Sequence, residues 1–319
     1  MIFEDLPPTP TAEELIDKAF SRAARAGRAS SGVGAQRSMV TTASTILRDN
    51  LEHTVTAWPD FDVIHPFYFE LADAIVGVDS LRQSLARVQW ANRQVETIAT
   101  EAIDAIRASP KDARDRRKQA FARFASVIED IEPALEELGD ARWELASLPD
   151  IDPDAPTIVV AGYPNVGKST FVNAVTNARN QIAEYPFTTT TIQVGHVEHR
   201  YVQYQLVDTP GLLDRPPEDR NEIESQAVSA LRHLADVVLV FVDPSESCGY
   251  PLETQLRLRD SLAATFSDRP VLTVGAKADL STDVEASIHI STTEGTGADS
   301  LVEMAIEAAD YEPELPTAE

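Results

Sequence analysis

Residues 162–169 read GYPNVGKS, and an apolar run, TIVVA, leads straight into them. The pattern is G-x-x-x-x-G-K-S between an expected strand and an expected helix, the context in which it cradles phosphate. Gly162 and Gly167 let the backbone curl so that its N–H groups converge on phosphate oxygens, and the helix after them adds its positive end. Lys168 is placed to reach β- and γ-phosphates, and the Ser169 hydroxyl to ligate Mg²⁺. The expected cradle comprises Gly162, Tyr163, Pro164, Asn165, Val166, Gly167, Lys168, Ser169 and Thr170. A glycine-rich turn without a ligand is the plainer alternative. Strand, spacing, Lys and Ser together stand against it.

A second apolar strand ends in LVDTPG, residues 206–211. Asp208 there is a candidate for holding Mg²⁺ through water, and the Gly211 amide for sensing a γ-phosphate. Between the two motifs lies the hydroxyl-rich stretch YPFTTTT, residues 185–191. A Thr in such a loop completes a Mg²⁺ shell only while the γ-phosphate is present, which makes it an order–disorder switch. Thr189 is the preferred residue, whereas Thr190 and Thr191 read better as an exposed polar strand start. The metal set is therefore Ser169, Thr189 and Asp208. Phosphate motifs in this order predict a P-loop NTPase of the GTPase type, with GTP and GDP as its ligands.

The base should be read by VGAKADL, residues 274–280. Asp279 can accept hydrogen bonds from the N1–H and exocyclic amine of guanine, while adenine would set a lone pair against it. Polar sites of this kind discriminate by about 10⁴–10⁵. The aliphatic stem of Lys277 can lie along the base plane. Ser291 and Thr292, after the short apolar stretch SIHI, are expected in a loop over the purine O6. Guanine readers usually begin such a loop with Asn, and here the residue is Ala276. Losing one or two neutral hydrogen bonds costs about 1–3 kcal/mol. Guanine held more weakly is the expected outcome, and relaxed base specificity is the competing one.

Hydrolysis needs a group that acts on water, and the residue after DTPG is Leu212, which has none to offer. The candidate catalytic set is Lys168, Thr189, Gly211 and Asn165. Two readings of Asn165 remain open: it ligates K⁺ where an arginine finger would otherwise act, or it merely caps its loop.

These residues need a scaffold. From 157 onward strand and helix alternate: strands at 157–162, 191–199, 201–207, 237–243, 271–276 and 287–290, with helices from Lys168 and near 221–234, 251–265 and 298–309. That alternation predicts an open, mainly parallel sheet covered on both faces, with its ligand at the carboxyl ends of the strands. The first half reads as helical. Thr11 with Glu14 forms a capping box for a helix that should run to Ala26 and stop at Gly27. A Gly/Ser loop is expected over 28–38. Further helices are expected at 39–57, at 67–108 with a break near Gly77, at 110–132 and at 133–147. The fold expected is thus an all-α N-terminal bundle over 1–150, a Pro/Asp-rich linker, an α/β Ras-like P-loop GTPase domain over 157–310 and an acidic tail over 311–319.

Composition narrows the setting. Fifty-two acids face 27 bases, for a net charge of −25, and only five of the bases are lysine. At about 1 M salt the screening length is about 3 Å, so self-repulsion of this size is tolerable. The reading is a halophile's protein; a merely acidic protein is the alternative. No signal peptide is expected, because MIFEDLPPTP carries acids where a cationic start is needed. The longest apolar run, VVLVFV, is too short to span a bilayer. A single cysteine, Cys248, allows no intrachain disulfide and fits a reducing cytoplasm. It reads as a small packed residue, and His65, Phe67, Tyr68 and Phe69 read as core. No membrane contact is expected, and no oligomer is implied.

The motifs GYPNVGKST, YPFTTTT and DTPGLLD resemble those of the Obg-related translation-factor GTPases. More specifically, FVDPSESCGYPLETQ (241–255), HPFYFELADAIVGVDSL (65–81) and DLPPTPTAEELIDKAFSRA (5–23) resemble the nucleolar GTP-binding protein, or Nog, family. The resemblance covers nearly the whole chain and implies a helical domain followed by a GTPase that acts on maturing large ribosomal subunits. Ala276 departs from the family pattern. The Pro/Glu-rich stretch 311–319 stands where eukaryotic members continue into a long basic extension, so functions tied to that extension are not carried over.

An RNA partner finds some support in the residues themselves. The window 107–123 holds seven bases, Arg107, Lys111, Arg114, Arg116, Arg117, Lys118 and Arg123, against two acids. Arg22, Arg25, Arg28 and Arg37 form another cluster. Arg grips phosphate in a two-pronged fashion even where long-range attraction is screened. A solvated helix face with i,i+4 pairs is the bland alternative. The leading expectation is a slow GTPase switch, K⁺-stimulated if Asn165 is a ligand, acting in large-subunit assembly through rRNA-containing particles. The alternatives are a nucleotide-binding scaffold with little hydrolysis, or a GTPase of stress regulation or tRNA modification.

Overall fold

The fold is that of a computed structural model, which describes residues 2–106, 109–146, 151–176, 181–184, 191–209, 212–215, 219–220 and 222–311. The chain divides into two compact units. One comprises residues 2–63 and 76–146; the other takes 64–75 and everything from 147 onward.

The first unit contains α1 (Ala12–Gly27), α2 (Gly32–Thr56), α4 (Val78–Ala105), α5 (Pro110–Asp130) and α6 (Glu132–Leu145). The capping box is present: Glu14 N donates to Thr11 Oγ1 at 3.2 Å and Thr11 N to Glu14 Oε2 at 3.0 Å. Each helix turns one apolar stripe inward, and Leu15, Leu47, Leu51, Val88, Val95, Phe124, Ile128 and Leu138 are buried together with small alanines. Burying one such side chain stabilises by about 1.5–3 kcal/mol. Phe20 of α1 stacks on Phe121 of α5 with centroids 4.3 Å apart.

One expectation is corrected here. The segment 28–38 is not a loop throughout, because α2 already begins at Gly32. Its N-cap, Ser31, makes no capping bond; near this end, Gln36 Oε1 accepts from Arg117 Nε of α5 at 2.8 Å. α1 ends at Gly27 as expected: Gly27 is the last helical residue and is followed by a right-handed Arg28. A Cβ at Gly27 would lie 2.6 Å from Met39 Sδ, so its lack of a side chain lets α1 approach α2.

The second unit is built on a seven-stranded sheet in the order β2-β3-β4-β1-β5-β6-β7. The strands are β1 (Thr157–Ala161), β2 (Gln181–Glu184), β3 (Thr191–His199), β4 (Val202–Asp208), β5 (Ala235–Val242), β6 (Val271–Gly275) and β7 (Ile288–His289). β4, β1, β5, β6 and β7 run parallel, whereas β2, β3 and β4 pair antiparallel. The sheet is therefore mixed, with an antiparallel edge that includes one strand, β2, absent from the expected set. The buried apolar runs of β1 and β5 place these strands at the centre. Among the described residues, the helices that alternate with these strands are α7 (Lys168–Val175), α8 (Glu222–Leu234), α9 (Leu252–Thr265) and α10 (Ala298–Ala309).

Helix α3 (Pro66–Val76) precedes α4 in sequence yet belongs to the sheet-containing unit. Phe67 and Tyr68 are buried, as expected of core residues. Tyr68 Oη donates to Ile151 O at 2.6 Å, and Glu70 Oε1 lies 2.9 Å from His233 Nε2 of α8. No helix among the described residues is long and apolar enough to cross a membrane.

Candidate nucleotide-binding site

Parallel register brings the carboxyl ends of β4, β1, β5 and β6 to one edge of the sheet. Val160 pairs with Asp208, Ala161 with Val240, and Val242 with Gly275. The loops leaving these strands form the candidate site.

The first is the loop 162–167. Gly162 has φ of +129°, and a Cβ there would lie 2.5 Å from Phe241 O, so no side chain fits against the neighbouring strand. Asn165 and Gly167 are also left-handed, with φ of +62° and +111°. These turns carry the chain from β1 directly into α7, whose first residue is Lys168. That lysine is 5% exposed, and its Nζ donates to Gly162 O at 2.7 Å and Tyr163 O at 2.8 Å. Burial pushes its pKa down, and the carboxylates of Asp208 and Asp214 pull it back up. Tyr163 stacks on Tyr250 at 4.4 Å. The Asn165 side chain is exposed, and no hydrogen bond from it is seen among the described residues.

At the end of β4, Asp208 is fully buried. Its Oδ2 accepts from Ser169 Oγ at 2.5 Å, and its Oδ1 has no hydrogen-bond partner among the described residues. Burial raises its pKa, while the Ser169 bond and the Lys168 charge oppose that rise. An orphaned carboxylate oxygen beside a hydroxyl suits a hard cation with oxygen ligands, as Mg²⁺ is. Thr189 and Gly211 lie outside the described residues. Leu212 is buried, 1% exposed, and its side chain carries no polar group. The next residue, Leu213, accepts from the Gly162 amide through its carbonyl at 3.1 Å.

The loop after β6 holds the remaining candidates. Ala276 N donates to Val242 O at 2.8 Å and Ala278 N to Ile290 O at 3.0 Å. Asp279 is exposed, with one carboxylate oxygen accepting from Ser291 Oγ at 2.6 Å. Ser291 is buried behind that carboxylate, whereas Thr292 lines the cavity. This cavity, about 350 Å³, is bounded by Asn165, Val166, Gly167 and Thr170 on one side and by Ala276, Lys277, Asp279 and Thr292 on the other. Phosphate-loop and base-loop residues, more than 100 positions apart in the chain, thus share one space.

Sequence reasoning passed over Asp243, at the end of β5. It is fully buried. Burial pushes its carboxyl up, but bonds from Ser245, Lys277, Ser247 and Cys248 outweigh that and hold it down at about 2. The signal was present as the first Asp of DPSESCGY, directly after a strand that ends at the site.

Comparison with known proteins fits this geometry. The family model described as NOG1 N-terminal helical domain matches residues 3–152, and that described as 50S ribosome-binding GTPase matches residues 157–277. A nucleolar GTP-binding protein 1 of Eremothecium gossypii is 32% identical over 289 residues, covering 87% of this chain and 45% of that protein. An uncharacterized protein of Methanocaldococcus jannaschii is 39% identical over 243 residues, covering 76% of this chain and 68% of that protein. This chain belongs to the nucleolar GTP-binding protein family. Its Nog-type helical domain precedes a P-loop GTPase domain, in the order the motifs implied. A crystal structure of a nucleolar GTP-binding protein 1 from Plasmodium falciparum is 35% identical and covers 51% of this chain and 90% of that one, with a TM-score of 0.45. The chain spans less than half the length of the nucleolar GTP-binding proteins it matches in Drosophila melanogaster, Eremothecium gossypii and Caenorhabditis elegans, at 36%, 45% and 34%.

Proposed function

We propose that this Nog-family chain is a guanine-nucleotide switch that hydrolyses GTP slowly and acts on an rRNA-containing precursor of the large ribosomal subunit. The observation that carries the nucleotide part is the single cavity shared by the phosphate loop and by Asp279 of the base loop. Amides of Asn165, Val166 and Gly167 and the positive end of α7 are the donors available to the phosphates, since Pro164 has no N–H and that of Gly162 is bonded to Leu213 O. Lys168, released from the carbonyls of Gly162 and Tyr163, reaches the β- and γ-phosphate oxygens. Ser169, Asp208 and Thr189 would hold Mg²⁺, which neutralises charge on those oxygens during transfer. Asp279, oriented by Ser291, selects guanine. With Leu212 buried, no side chain at that position orients water, so turnover is slow unless assisted. The unbonded Asn165 carboxamide is the candidate K⁺ ligand. This suits the K⁺-rich cytoplasm of a halophile, the setting we infer from a net charge of −25.

The rRNA part rests on charge. Arg22, Arg25, Arg28, Arg37 and Arg114 are exposed, and none has a carboxylate partner within 4.0 Å among the described residues. Arg117 reaches Gln36 Oε1 at 2.8 Å and lies over the Phe121 ring at 5.0 Å. Arg116 pairs loosely with Asp112, at 3.7 Å. In so acidic a chain, exposed guanidinium groups without carboxylate partners fit a polyanion.

Titration with GTP and Mg²⁺ in molar KCl tests the core of the reading. Ligand at about 100 times Kd stabilises by about 2.7 kcal/mol, enough for a clear rise in Tm. An unmoved Tm would sink the reading. The apolar Leu212 at this position favours a second reading, a nucleotide-binding scaffold with little hydrolysis. Turnover stimulated by large subunits supports the switch, and particle binding indifferent to nucleotide supports the scaffold.

A further inference from the structure

The turn after β5, residues 243–250, is organised around one buried carboxylate. Asp243 accepts from Ser245 N at 2.9 Å, Ser245 Oγ at 2.5 Å, Ser247 Oγ at 3.0 Å and Cys248 N at 2.8 Å. Gln255 of α9 braces the same turn. Its Oε1 accepts from Asp243 N at 2.7 Å, and its Nε2 donates to Asp243 O at 3.1 Å and Tyr250 O at 2.8 Å. Such a rigid knot is not needed to end a strand. One further bond shows its target: Lys277 Nζ lies 2.9 Å from Asp243 Oδ2 and 2.9 Å from Ser247 Oγ.

Lys277 is the second residue of the base loop and is left-handed, with φ of +53°. For a residue with a side chain that conformation is unfavourable, so it persists only where the surroundings enforce it. Backbone bonds shape the turn: Lys277 O accepts from Leu280 N at 2.8 Å and Ser281 N at 3.2 Å, and Ala278 N donates to Ile290 O at 3.0 Å. Ala276 carries no polar side chain, so the side-chain tie from the start of this loop to the neighbouring strand end is the one from the Lys277 ammonium to the buried anion. Two residues on, this fixes where Asp279 stands.

We propose that Asp243 and Ser247 are positioning residues for guanine recognition, anchoring the base loop through Lys277 in place of the side-chain anchor that Ala276 cannot supply. This rests on the guanine-reading role assigned above. The consequence is that base selectivity, not phosphate binding, depends on the 243–250 turn.

The test is calorimetric titration with GDP and with IDP, which lacks the exocyclic amine, in molar KCl with Mg²⁺, well below the Tm of each variant. Charge-assisted hydrogen bonds contribute about 1.5–3 kcal/mol. Asp243→Asn should weaken GDP by about tenfold or more and narrow the GDP:IDP ratio. Ser247→Ala alters an exposed residue and removes one of the two lysine contacts. It should fold normally and weaken GDP by about threefold. Adding Ala276→Asn to Asp243→Asn should restore most of the lost selectivity, which repair of a purely structural defect would not do. A GDP:IDP ratio unchanged in both single variants overturns the inference, whatever happens to Tm. If the wild-type chain binds GDP no better than IDP, guanine reading itself fails and the inference falls with it.

Discussion

A single methyl group at position 162 tests whether β1, the phosphate loop and β5 are packed as described. In Gly162→Ala the new Cβ would sit 2.5 Å from Phe241 O and 3.3 Å from Phe241 N and C. These are backbone atoms of a central strand and cannot rotate away. The φ of +129° adds its own penalty, about 1–3 kcal/mol for a residue with a side chain. Relieving the overlap by shifting β1 or β5 adds about 1–3 kcal/mol, the usual cost of overpacking. The total is about 2–6 kcal/mol, lodged in the two central strands. All three tryptophans, Trp58, Trp90 and Trp143, lie in the helical unit, so their fluorescence is a poor reporter. Hydrogen exchange of peptides covering 157–161 and 235–242, with and without GDP, reads the strands directly. The expected result is a loss of protection worth at least about 2 kcal/mol together with loss of GDP-induced protection. Gly34→Ala is the control: nothing lies within 4 Å of its Cβ, it sits within α2, and alanine is the better helix former. Protection of β1 and β5 in Gly162→Ala within about 0.5 kcal/mol of wild type would refute the packing argument.

Two further outcomes are expected. Acid should uncouple the 243–250 turn: with the folded carboxyl of Asp243 at about 2 against an ordinary 3.8, its stabilisation is complete above about pH 4 and lost as pH falls towards 2. The gap in urea midpoint between wild type and Asp243→Asn should shrink over that window, and a gap constant from pH 5 to 2 contradicts the assignment. Asp208→Asn removes the buried anion with the orphaned Oδ1. GTP affinity in this variant should be the same in Mg²⁺ and in EDTA, whereas the wild type should bind about tenfold or more tightly with the metal; a retained Mg²⁺ effect counts against Asp208 as a metal-site residue.

The phosphate loop and the base loop were legible because each is a short polar motif at the end of an apolar strand. Their spacing therefore predicts their position as well as their chemistry. Other features left weaker traces. The strand β2 is four residues long, QIAE, with no alternation to mark it. The early start of α2 was hidden by GVGAQRS, a composition that reads as loop. Gly27 read as a helix stop and is one, but its close approach to Met39, twelve positions away, left no local trace. The link from Asp243 to Lys277 spans 34 residues and joins a strand end to a loop, a pairing that no local pattern announces.

Helix α3 has a practical consequence for anyone dissecting this molecule. The polypeptide leaves the helical bundle after residue 63, contributes one helix to the sheet-bearing unit, and re-enters the bundle at residue 76 before leaving again after residue 146. No single scissile position separates the two units cleanly. A fragment starting near 151 would lack the Tyr68 hydroxyl that binds Ile151 O and would strand His233 without Glu70. Isolated fragments of the sheet-bearing unit should carry residues 64–75 as well, joined by a new tether, if they are to behave as the parent does.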